Sequence, residues 1–273
     1  MISRLALEWP DPRAFDGREG RPIRFLVASD APEPALQHAV NRAALGQLDG
    51  ILGAGDLEPD WLAFLADSFN APLVYVRGNH DRDGQWRDRP LLVPAWLTTG
   101  RIERLAGIPI IGLEWPGVDA SDNRRRPWLA WRQALGIARR LIGARLWRAP
   151  LIVLSHVPPT GVGDGPDRYH HGFDAYRWLL DRLTPPIWLH GHTTTASVAR
   201  LVERAGLRRP DPRRGGGPDR GTDRRRPRHH DRGRRAQPHA PARGGDDPGP
   251  AAGARVGVTQ ARLIVSARSY RAA

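Results

Sequence analysis

Residues 73–81 read LVYVRGNHD: four apolar residues, an arginine, a glycine, and then three side chains that can hold a metal ion or move a proton. A short apolar run bounded by turn residues is the pattern of a strand buried on both faces. The same order recurs four times. Ile23–Ala28 leads to Asp30, Ile51–Ala54 to Asp56, Leu151–Leu154 to His156, and Ile187–Leu189 to His190 and His192. In open α/β sheets ligands gather beyond the carboxyl ends of strands. Five strands ending this way point to one site.

Helical patterns lie between the strands. Ala35–Leu48 places Leu36, Ala39, Val40, Ala43 and Ala44 on one face, Trp61–Phe69 follows Pro59, and Trp128–Leu146 carries a long apolar face with arginines interspersed. Asp174–Leu183 reads as a helix stopped by Pro185-Pro186, and Arg101–Leu105 with Ile108–Leu113 flank Ala106-Gly107 as a hairpin. Strands alternating with helices, then a hairpin, predict an α/β domain with a partly mixed sheet. It should span residues 22–206, after an N-terminal extension over 1–21.

Charge and composition separate this domain from the C-terminal residues. The formal net charge is +13, yet residues 207–273 hold 17 Arg against 6 acidic residues, whereas residues 1–206 hold 25 Arg against 23. Between Arg208 and Arg255 there is no Val, Ile, Leu, Phe, Trp, Tyr or Met, so that stretch cannot build a core, and 207–273 is expected to be a disordered basic tail. The switch near Gly206 also has the composition of a shifted reading frame in a GC-rich gene. All 42 basic residues are Arg, which fits the same codon bias. Nucleic acid is expected as a partner only through this tail.

The chain has no Cys, which excludes disulfides and thiolate ligands and leaves His, Asp, Glu and Asn to bind metal. Residues 1–20 lack the apolar run of a signal peptide, and no stretch reaches transmembrane length. A cytoplasmic protein with no membrane partner is expected.

Four strings, GAGD at 53–56, RGNHD at 77–81, LSHVPP at 154–159 and LHGHTT at 189–194, resemble in their order the calcineurin-like metallophosphoesterase superfamily, over about Ile23 to Thr194. The resemblance implies a sandwich of two mixed β-sheets flanked by helices. It implies a hydrolase of phosphomonoesters or phosphodiesters, in which a hydroxide held by two divalent ions, Mn, Fe or Zn, attacks directly. By motif, Asp56 resembles the carboxylate that bridges the two metals. Asn79, His156 and His190 match the ligands of one ion, and Asp30 and His192 those of the other, with Gly191 giving the two histidines freedom to face different ions. His80 resembles the catalytic histidine. Asp81 either orients that imidazole or begins the turn Arg82-Asp83-Gly84.

The first motif departs from the family pattern. Asp-x-His is usual there, but this chain reads Ser29-Asp30-Ala31-Pro32, and Pro32 offers no ligand atom. Glu33 or water fills the place, or Glu33 simply favours the start of the following helix. A catalytically weakened metal- or phosphate-binding module is therefore the alternative to an enzyme. His170-His171 and Asn123–Arg126 either touch an anionic substrate or are solvated. Glu58 and Asp60 either support the site or open the next helix. His229-His230 lies in the biased tail and carries no assignment.

Overall fold

The computed structural model describes residues 2–81, 97–117, 124–193 and the backbone of 262–268. The expectations on Arg82-Asp83-Gly84, Asn123, Thr194 and His229-His230 lie outside these residues. The fold is mixed α/β, with four α-helices and two sheets among the described residues.

Sheet A contains β1 (Ile2–Glu8), β2 (Ile23–Ala28), β3 (Gly50–Gly53), β4 (Leu73–Tyr75) and β9 (Arg262–Arg268) in the order β1-β9-β2-β3-β4. Strands β9, β2, β3 and β4 run parallel, and β1 is antiparallel to β9. Sheet B has the order β5-β6-β7-β8, from β5 (Ile102–Leu105), β6 (Ile108–Leu113), β7 (Ile152–Ser155) and β8 (Ile187–His190). Strands β5 and β6 form the expected antiparallel hairpin, and β6, β7 and β8 run parallel.

The period-two alternation of the strands divides the core into three clusters. Phe25, Val27, Leu52 and Val74 of sheet A share one cluster with Ile108, Ile110, Ile152, Leu154, Ile187 and Leu189 of sheet B. The opposite faces of β2, β3 and β4, through Leu26, Ile51, Leu73 and Tyr75, pack with Leu45 of α1 (Ala39–Leu45) and with Trp61, Leu62 and Leu65 of α2 (Pro59–Phe69). Those of sheet B, through Ile111, Leu113, Val153 and Trp188, pack with Ile137 and Leu141 of α3 (Pro127–Gly143) and with Tyr176 and Leu179 of α4 (Asp174–Leu183). Burial on both faces explains why these strands are apolar at nearly every position.

Three expectations change. The single helix over Ala35–Leu48 is a 3-10 turn, Pro34–Gln37, followed by α1, because His38 is extended between them. Ile2–Glu8, expected as part of an extension ahead of the domain, is a strand of sheet A. Arg262–Arg268, expected within a disordered tail, is the strand between β1 and β2. No helix among the described residues is long and apolar enough to cross a membrane.

Candidate metal centre

The parallel strands of both sheets deliver their following residues to one place. His156, the residue after β7, hydrogen-bonds through Nδ1 to the carbonyl of Ala54 just after β3, 2.8 Å away. With Nδ1 donating, Nε2 faces Asn79 Oδ1 at 2.9 Å and Asp56 Oδ2 at 3.2 Å. Asp56, His156 and His192 bring ligand atoms within 4.8 Å of one another, the geometry of a metal-binding group.

Electrostatics follow from this crowding. His156 is fully buried, which opposes its charging, but Asp56 beside it overrides burial and raises the imidazole to about 9. Burial pushes Asp56 upward, and the charge and hydrogen bond of His156 bring it below the usual carboxylate range. Burial, reinforced by the charge of His156, lowers His190 to about 4 and His192 to about 3.

Two observations test whether these residues suit a metal. One proton on His156 Nε2 holds together an imidazole nitrogen, an amide oxygen and a carboxylate oxygen, three atoms that suit a divalent cation equally well. His190 engages its own Nδ1 with the Gly191 carbonyl, and its buried Nε2 has no hydrogen-bond partner among the described residues. An orphaned buried imidazole nitrogen is the chemistry of a ligand atom. The residues therefore fit a divalent ion.

The backbone is strained at three of the converging residues. Asp30, Asp56 and His192 all have positive φ, at 64°, 57° and 63°. Such conformations are disfavoured for non-glycine residues and cluster where side chains are aimed for function. In the HGH string it is His192, not Gly191, that takes the left-handed conformation. Gly191 is needed for closeness instead: a Cβ there would sit 2.7 Å from the Ala54 carbonyl and 2.9 Å from Asp30 Oδ2. Gly78 has a similar place, since a Cβ would come within 2.8 Å of His156 Cε1 and collide with the Asp56 carboxylate.

The remaining site residues surround this convergence. Asp30 is exposed, and both its carboxylate oxygens accept the His192 backbone N–H, at 2.9 and 3.1 Å. The exposed His80 donates its backbone N–H to Asp56 Oδ1 at 2.8 Å. Asp81 is buried and accepts hydrogen bonds from the backbone N–H groups of Gly78 (2.6 Å) and Asp56 (3.0 Å) and from the Tyr75 hydroxyl. Its carboxylate thus ties the loop of Asp56 to the loop of Gly78, whereas the His80 ring bonds elsewhere.

That other partner is Tyr169, which no motif in the sequence marks. Its hydroxyl lies 2.6 Å from Asn79 Nδ2 and 3.0 Å from His80 Nε2, and its carbonyl 3.0 Å from His192 Nε2. In the loop carrying it, His170 Nδ1 hydrogen-bonds Asp167 Oδ2 at 2.7 Å and His171 Nδ1 lies 3.3 Å from Asp164 Oδ2. Arg125 donates to the carbonyls of Tyr169 and Gly172, 3.1 Å each, while its guanidinium lies over Phe173. Glu33 caps the 3-10 turn by accepting Ala35 N–H at 3.3 Å, and Glu58 and Asp60 sit at the N-cap and first turn of α2.

Carboxylate, amide and imidazole groups converging from the ends of parallel strands form the donor set of a candidate metal centre. The model of the calcineurin-like phosphoesterase family matches residues 26–195, more than half of the chain, and the protein belongs to that family. Its family chemistry is metal-dependent hydrolysis of phosphoric esters. A search of curated proteins found no match.

Proposed function

We propose that the protein hydrolyses a phosphomonoester or phosphodiester with two divalent ions. Asp56, Asn79, His156 and His190 would hold one ion, and Asp30, Asp56 and His192 the other, on a domain in which the two sheets stack as a sandwich. The observation that carries this reading is the buried Nε2 of His190, unpartnered among the described residues, beside the Asp56–His156–Asn79 convergence. Once bound, ions of the Mn, Fe or Zn type supply charge neutralisation at the phosphoryl group and an activated water.

The chain's own residues do the rest. His80 stands exposed at the rim, with its backbone anchored on Asp56 Oδ1 and its Nε2 facing Tyr169, and it is placed to pass a proton to the leaving oxygen. Asp81 acts through others: by holding the Asp56 and Gly78 N–H groups it fixes the turn that presents Asp56. Asn79 donates its amide N–H to Tyr169 and so turns its oxygen toward His156.

Metal content and hydrolysis of an aryl phosphate and an aryl phosphodiester test the reading together. His80→Ala should lower turnover about 10²- to 10⁴-fold with metal retained, and Asp56→Asn should lower both. Undiminished turnover in both variants would refute these roles. Metal bound by the native chain without turnover of either ester would instead assign the non-catalytic binding module that Pro32 favours.

A further inference from the structure

Helix α3 and its flanks concentrate charge of one sign. Residues 123–150 contain eight Arg and no acidic residue, while the remainder of residues 1–206 has 17 Arg against 23 acidic residues. The positive charge of residues 1–206 therefore belongs to this one segment. Its outer face is also apolar: Trp128 is 57 %, Leu135 54 %, Ile142 61 % and Trp131 37 % exposed, although the opposite face of the same helix is fully buried. At 100° per residue these four side chains form one stripe, and Arg132 and Arg139 lie directly beside it. The neighbouring α4 is charge-balanced, with Asp174 and Asp181 against Arg177 and Arg182. Its Asp181 pairs with Arg177 at 2.8 Å, and its Arg182 lies over Trp178, which itself packs against Trp131.

We propose that this face of α3 is a docking surface for an anionic lipid bilayer. An exposed stripe of Trp, Leu and Ile beside a row of Arg is the composition that lies in a membrane interface, with apolar groups entering the acyl boundary and guanidinium groups meeting phosphates. Charge complementarity selects this occupant over the others. A second copy docked by two-fold symmetry would face the same arginines with arginines. Nucleic acid would satisfy the arginines and the indoles but offers no apolar surface for Leu135 and Ile142. Seating on a surface requires no spanning helix, so it departs from the sequence expectation of no membrane partner without needing a transmembrane segment.

Co-sedimentation of the full chain with vesicles of phosphatidylcholine alone, and of phosphatidylcholine mixed with phosphatidylglycerol, tests the proposal. The native chain should partition onto the mixed vesicles at least about tenfold better, and added salt should weaken that binding. Leu135→Glu/Ile142→Glu and, separately, Arg132→Gln/Arg139→Gln should each lower partitioning more than about tenfold. Circular dichroism should show both variants folded, because all four side chains are exposed; if the first unfolds, the arginine pair carries the test alone. Lipids brominated near the headgroup should quench indole fluorescence, and Trp128→Phe/Trp131→Phe should remove that quenching. Failure to bind mixed vesicles overturns the proposal. So does binding undiminished in both double variants, which would place the attraction in the Arg-rich residues 207–258. Retention on DNA that is lost in Arg132→Gln/Arg139→Gln, without vesicle binding, or a dimer dissolved by Leu135→Glu/Ile142→Glu, would also overturn it and assign the face to that other occupant.

Discussion

The hydroxyl of Tyr169 stands 3.0 Å from Nε2 of His80, joining a loop between β7 and α4 to the histidine at the rim of the metal centre. Because Asn79 donates to the same oxygen, the phenolic proton is left for Nε2. Tyr169→Phe keeps the ring beside His192 and removes both hydrogen bonds. Each is worth about 0.5–1.5 kcal/mol, so kcat should fall roughly 3- to 10-fold with KM and metal content unchanged. A fall in metal content in step with kcat would mean that Tyr169 only supports the metal site.

Asp81 receives three donors at one buried oxygen, Oδ2, and a neutral amide oxygen accepts each of them more weakly than a carboxylate does. Asp81→Asn should therefore destabilise the fold by about 1–3 kcal/mol and lower metal content along with turnover. Thermal unfolding and metal analysis of the purified variant check this. Full metal content with turnover alone lost would move Asp81 from positioning to catalysis.

The buried histidines set a pH dependence for the metal-free protein. An unfolded histidine titrates near about 6.5, and His156 is raised to about 9. Its contribution is thus fully present below 6.5 and lost as pH rises through 9. His190 and His192, lowered to about 4 and about 3 by burial, act in the opposite sense, contributing above 6.5 and losing that contribution as pH falls toward 4. Thermal unfolding in the presence of a chelator should pass through a maximum near about pH 6.5. A melting temperature that climbs steadily to about pH 9 would mean that His156 is neutral without metal.

Strand β9 pairs with β1 on one side and β2 on the other. A chain terminated before Arg262 loses the partner of β1 and leaves the edge of β2 bare. Such a chain should lose several kcal/mol of a total stability of about 5–15 kcal/mol and become poorly soluble, as soluble yield and thermal unfolding will record. A truncated chain that melts like the full one would assign the sheet's stability to β2, β3 and β4 alone.

The strands that lead to the candidate site were legible because both their faces are buried, which writes unbroken apolar runs such as Ile23–Ala28 and Leu73–Val76. Ligand types at their ends, in the order of a known family, then placed Asp56, Asn79, His156 and His192 together. Strands β1 and β9 were not legible. Ile2–Glu8 mixes Arg and Glu into its pattern, Arg262–Arg268 is set in Arg-rich text, and their partners lie across nearly the whole chain. Tyr169 left no signal either, since a tyrosine in a polar loop acquires its place only when tertiary structure brings residues 79 and 169 together. The break at His38 inside an otherwise helical periodicity was invisible for a related reason: backbone conformation at one residue does not alter the spacing of its apolar neighbours.

The order β1-β9-β2 also fixes when the protein can finish folding. Strand β1 has no partner in its sheet until residues 262–268 are made, an interval on the order of ten to fifty seconds at ordinary rates of synthesis. Throughout that time the nascent chain presents two unpaired strand edges to its surroundings. Closure of sheet A then waits for residues 262–268, and the nascent chain depends on whatever shields those edges until they arrive.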